Sequence, residues 1–122
     1  MAHSITISPC KTYIILKVTG PITRKSSMEH NLEAHALGKS LGIRNYLVDL
    51  TESRNTDTVA NNFGFANEDM RGNGIDRSAR AAILVDPSDR SHDFVVLASQ
   101  NAGINTSLFT DRSLAERYLK GQ

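Results

Sequence analysis

A chain of 122 residues, 39% hydrophobic and 22% charged, has the length and balance of one compact globular domain. Its 14 basic and 13 acidic residues leave a formal net charge of +1, and no Lys/Arg block interleaves with aromatics, which excludes bulk attraction to nucleic acid or an acidic membrane surface. The single cysteine, Cys10, excludes an intrachain disulfide, and with four dispersed histidines it makes no zinc-ligand spacing, so no metal or other cofactor is expected.

The N-terminal MAHSITIS lacks a basic-then-apolar leader pattern, and no apolar run is long enough to span a bilayer; the expectation is a cytoplasmic single domain over residues 1–122. Residues 3–8 and 12–18 (TYIILKV) are rich in β-branched residues and flank Ser8-Pro9-Cys10-Lys11, the pattern of a short hairpin. Gly20-Pro21 punctuates the end of the second strand. Ser26-x-x-Glu29 has the form of a capping box, predicting a helix from Ser27 to Leu41 with Gly42 as its stop. Residues 44–50 read as the next strand, followed by a polar loop. Val59, Phe63, Ala66 and Met70 then recur at helical spacing toward Gly72.

RAAILV at 80–85 reads as an interior strand ended by Asp86-Pro87, and Ser88 is placed to cap a helix carrying Phe94, Leu97 and Ala98 up to Gly103. Residues 104–109 form a last strand, and Asp111 caps a final helix with Leu114, Ala115, Tyr118 and Leu119. The order β-β-α-β-α-β-α-β-α is that of an α/β domain: a mostly parallel sheet flanked by helices, with an antiparallel N-terminal edge hairpin. YLV and AAILV lack alternation, as expected of strands covered on both faces. The predicted core joins Leu47, Val48, Ile83, Leu84, Val85, Phe63 and Met70. Phe65 falls off the apolar stripe of its helix, and is expected either to be exposed on a contact surface or to pack under the loop before Arg80.

In such sheets ligands approach the carboxyl ends of the parallel strands, where Asp49, Glu52, Asp86, Thr110 and Asp111 collect. A phospho-accepting receiver would need an acidic pair after the first strand and a lysine after the last. Gly20-Pro21 and Thr110-Asp111-Arg112 supply neither. Gly72-x-Gly74 lies between a helix and a strand, the wrong order for a dinucleotide loop, and no Gly-x-Ser-x-Gly elbow or phosphate-binding Gly-Lys-Ser/Thr loop occurs. His92 adjoins Asp93 at a helix start, and His30 and His35 share a helix at a spacing that does not stack. No nucleophile pairs with any of them, so each reads as a solvated or locally hydrogen-bonded histidine.

NYLVDLTESRNTDT, RSARAAILVDP, SHDF and the terminal LFTDRSLAERYL together resemble the SpoIIAA-like branch of the STAS family (sulfate transporter and anti-sigma factor antagonist), in element order over nearly the whole chain. The resemblance implies a small α/β interaction module without established catalysis. In anti-sigma antagonists of this kind an Asp-Ser-Ser-Gly motif stands at the N-terminus of the helix after the Asp-ending strand. The matching stretch is Asp57-Thr58-Val59-Ala60, so the resemblance carries a phosphorylation switch onto Thr58 beside Asp57, while Val59 and Ala60 depart from the serine and glycine. The simpler role for either residue is a helix N-cap, with a stabilisation of about 1 kcal/mol.

The candidate residues are Thr58 and Asp57 for a switch, and Asp49, Glu52, Arg54, Asn55 and Phe65 for an interaction edge. The first functional reading is a non-enzymatic, regulatory module with a protein partner. The second is a carrier or sensor of a small apolar ligand, in a cavity lined by Phe63, Met70 and Phe94. The third is an enzyme using Asp49 and its acidic neighbours, with Mg²⁺ at the strand ends. A monomer and a homodimer are both compatible with the sequence.

Overall fold

The computed structural model describes residues 2–121; Met1 and Gln122, the ends of the expected domain span, lie outside the described residues. Five strands, β1 (Ala2–Ile7), β2 (Ile14–Ile22), β3 (Asn45–Asn55), β4 (Arg80–Leu84) and β5 (Asn105–Phe109), form one sheet in sequential order. β1 pairs antiparallel with β2 and the remaining pairs are parallel, which is the α/β architecture the element order predicts. Among the described residues four α-helices follow the expected order: α1 (Arg24–Leu41), α2 (Val59–Asn67), α3 (Asp93–Asn101) and α4 (Arg112–Leu119). No helix among the described residues is long and apolar enough to cross a membrane.

The β1–β2 hairpin is closed by Ser8, whose Oγ accepts from the N–H groups of Thr12 and Tyr13 at 3.1 and 3.2 Å. β2 does not end at Gly20-Pro21. It runs to Ile22, paired with β3 through Pro21 opposite Arg54. The Ala2–Thr19 pair is the last described rung of the β1–β2 ladder; Pro21 lies beyond it, so its missing N–H breaks no described β1–β2 bond.

The expected polar loop after residue 50 is also strand: Glu52 to Asn55 pair with Thr19 to Ile22 past a register shift between Lys17 and Thr19. Asp49 is therefore inside β3, opposite Leu84 at the end of β4, rather than at a strand end.

α1 starts one turn earlier than the sequence suggests. Thr23 is its N-cap and Ser26 the third helical residue, the two bonding reciprocally in a capping box, and Gly42 closes the helix at φ 69° as expected. α2 ends at Asn67 and passes through a short 3-10 turn, Asp69–Arg71, to Gly72. Ser88 does not cap α3: it closes a turn on Asp86, and α3 begins at Asp93 after His92. Asp111 caps α4, accepting from Ser113 and Leu114.

The crossover helices α1, α2 and α3 cover one face of the sheet and α4 the other. Ile14, Leu16, Val18, Ala34, Tyr46, Leu50 and Val85 form the core under α1–α3, with Val48 and Ile83 packed against it. Tyr13, Leu47, Ala82, Leu84, Ala115 and Leu119 form the core under α4. The single core expected for Leu47, Val48, Ile83, Leu84 and Val85 is thus two cores, because alternate strand residues point to opposite faces. Phe63 belongs to neither: it is 55% exposed, while Phe65 is half-buried under the same helix. Of the expected α2 stripe, Ala66 is buried, but Val59 and Phe63 face outward. The buried positions of α2 are Asn62, Gly64 and Ala66, small or polar residues that a count of large apolar side chains passes over.

Candidate functional site

The N-terminus of α2 is built from its side chains outward. Thr58 is the N-cap, exposed, with Oγ1 accepting from the Asn61 N–H at 3.1 Å. Asp57 joins two helix starts. One carboxylate oxygen accepts from the backbone N–H of Arg24 in the first turn of α1 at 2.7 Å; the other accepts from the Thr58 N–H and the Asn61 amide at 2.8 and 2.7 Å. The bond from Arg24 N, then those from Asn61 and Thr58, hold the Asp57 carboxyl below its usual range, so it is ionised at neutral pH. Asn55, the last residue of β3, supports the loop: its Oδ1 accepts from the Asp57 N–H, and its amide pairs with Asn62 in both directions.

Behind this corner Arg24 makes a two-pronged bond to Asp69, at 2.7 and 2.9 Å, which pushes its already high pKa further up. Its guanidinium crosses α2 at Gly64, where an added Cβ would lie 2.3 Å from Nη1. Glycine is therefore what lets the Arg24–Asp69 pair lie flat against the helix.

The outer side of α2 carries Val59 and Phe63, 67% and 55% exposed and four residues apart, hence on one face. α3 packs beside α2 and turns Phe94 and Leu97 outward as well. Its inward residues are Val96, Ala98 and Ser99.

The expected interaction edge is not one surface. Asn55, Asp57 and Thr58 stand together. Glu52 and Arg54 are exposed on the C-terminal part of β3, Glu52 paired with Lys17 at 2.7 Å and Arg54 within 3.8 Å of Asp89. Asp49 is buried toward α4, its carboxylate accepting from the Thr51 N–H and hydroxyl, with Arg112 3.7 Å away. Phe65 is inside, lining a cavity. The acidic strand ends are likewise engaged, Asp86 by Ser88 and Asp111 by α4, and among the described residues no group of three or more His, Cys, Asp or Glu could hold a metal ion.

That cavity, about 120 Å³, lies between the sheet and α1–α3. Met70 lines it as expected, but Phe63 and Phe94 do not; Phe65, Tyr46, Ile83 and Val96 do. Histidines predicted to be solvated or locally bonded are buried. His92 donates from Nε2 to the distant Ser53 carbonyl at 2.9 Å, and the His35 ring stacks on Tyr46 with centroids 4.5 Å apart. His35 Nδ1 accepts from the Asp76 N–H, and burial pushes its pKa down, so the ring is neutral with its proton on Nε2.

Neither a family model nor a curated protein matches the sequence. Solved structures do match in shape. The anti-sigma factor antagonist SpoIIAA in its unphosphorylated form aligns over 99% of this chain and 98% of its own, with TM-score 0.63 and 11% identity. The Bacillus cell fate determinant SpoIIAA in its phosphorylated form aligns over 96% and 99%, with TM-score 0.57 and 12% identity. An uncharacterised DUF3478-family protein from Shewanella loihica, itself with a SpoIIAA-like fold, aligns over 97% and 92% at TM-score 0.56 and 18% identity. The chain has a SpoIIAA-like fold.

Proposed function

We propose that the protein is a non-enzymatic interaction module that docks a protein partner on the outer side of α2, with Thr58 as the regulated position. The observation that carries this reading is the pair Val59 and Phe63. Two large apolar side chains, four residues apart on the helix that Thr58 caps, are more than half exposed, and adjacent exposed apolar groups mark an interaction surface where single ones do not. The likeness to SpoIIAA, solved in a phosphorylated and an unphosphorylated form, is what suggests phosphorylation as the kind of regulation.

A phosphate on Thr58 would add a charge of about −1.5 to −2. The N–H groups and dipole at the start of α2 favour that charge. The Asp57 carboxylate opposes it, because its Oδ1 already holds the Thr58 N–H at 2.8 Å. Phosphorylation therefore loosens the Asp57 clamp between α1 and α2 and adds charge beside the apolar docking face.

The test joins capture of the partner from native lysate with phosphopeptide mass spectrometry of the protein from the same cells. Thr58→Glu is expected to lose most of the captured partner and Thr58→Ala to retain it. An unmodified Thr58 together with unchanged capture by Thr58→Glu refutes the switch.

A further inference from the structure

We infer that the cavity between the sheet and α1–α3 is a binding site for a small neutral molecule, a single apolar ring bearing one hydroxyl, anchored by Thr106. The cavity measures about 120 Å³ and its walls are mainly apolar. An apolar cavity of about 150 Å³ stays dry and accepts a benzene-sized guest. The space here suits a ring of about that size.

Thr106 supplies the polar anchor. It stands on β5, is 7% exposed and lines the cavity, and its Oγ1 is buried without a hydrogen-bond partner. A buried hydroxyl left unpaired is costly, and almost every such group in a folded protein finds a partner. Of the neighbouring polar side chains, Asn55 and Asn62 pair with each other and Ser99 donates to the Val95 carbonyl. Among the lining residues described, Thr106 alone has a buried side-chain oxygen awaiting a partner.

Water is the competing occupant, but a stable buried water needs two to four polar partners, and this hydroxyl offers about one. A guest whose ring meets Phe65 and Ile83 and whose hydroxyl meets Thr106 satisfies both surfaces.

The sheet register explains why the space exists. Ala81 on β4 is the cross-strand partner of Thr106 and also of Tyr46 on β3, and all three line the cavity. The small side chain of Ala81 leaves a gap between two larger neighbours, next to the unpaired hydroxyl. A longer side chain at 81 would project into that gap.

The probes are phenol and benzene, titrated separately into isotope-labelled protein and followed by NMR. Phenol is expected to shift signals of Thr106, Ile83 and Val96 saturably. Thr106→Val, which keeps the shape and removes the hydroxyl, should weaken phenol at least about fivefold, leave benzene within about twofold, and be no less stable than the parent. Ala81→Ile should abolish binding of both. Phenol shifts that do not saturate, that scatter over the surface, or that persist unchanged in Thr106→Val overturn the inference. Because Thr106→Val removes an unsatisfied group, it decides the matter even if Ala81→Ile fails to fold.

Discussion

The two faces of the sheet are closed in different ways. Under α4 the packing is complete: Leu47, Ala82 and Ala115 are wholly buried, and the helix is tied down by polar bonds at its margins. Tyr13 donates to Glu116 at 2.7 Å, and burial followed by this bond pushes the phenol up to about 12. Arg80 bonds the Tyr118 carbonyl at 2.9 Å and lies over its ring. Under α1–α3 three helices leave a cavity, an unpaired hydroxyl and buried neutral histidines, and send six large apolar side chains outward. One face is spent on stability; the other keeps imperfections of the kind that binding uses.

If that contrast is right, core truncations should be most costly under α4. Leu47→Ala, at a residue with no exposure, is expected to lose about 2–5 kcal/mol in chemical denaturation. Phe65→Ala, beside an existing cavity and only half-buried, should lose less, about 1–3 kcal/mol. A larger loss for Phe65 than for Leu47 would reverse the comparison.

The helical face should also be the acid-sensitive one. Burial pushes His30 and His35 below the usual imidazole value of 6.5. His30 has both ring nitrogens unpaired, and faces the His3 ring at 4.1 Å with Glu29 and Glu33 nearby. Below pH 6.5 the unfolded chain takes up protons that the folded chain resists, so stability should fall as pH drops through that value and level off below the folded pKa values. Denaturation curves at pH 7.5 and 5.5 should show the loss, and His30→Leu should flatten it.

The smallest expected effect on stability is at the proposed docking face. Phe63→Ala should change stability by no more than about 0.5 kcal/mol, since the ring is mostly in water already.

The order of elements was legible because its punctuation is chemically strong. Gly42 supplies a left-handed stop, Asp111 a cap, and Asp86-Pro87 a strand end. The continuation of β3 was not, because Glu52 and Arg54 point to solvent and only pairing with β2 makes that polar run a strand. The face of α2 was misread for a related reason. Beside Ala66, its inner side is made of Asn62 paired to Asn55 and Gly64 under Arg24, neither of which adds to an apolar stripe. Thr58 and Asp57 could be singled out locally, since capping is a short-range pattern. Thr106 could not: a threonine in a strand is ordinary, and its isolation depends on Ala81 one strand away.

The proposed docking face is on α2 and not on α4, and a matched pair of charge insertions tests that most directly. Phe63 and Leu114 are similarly exposed, 55% and 49%, on opposite sides of the sheet. Partner capture with Phe63→Asp and Leu114→Asp, each shown to be folded, should lose the partner in the first and keep it in the second. Loss with Leu114→Asp and retention with Phe63→Asp would contradict the account.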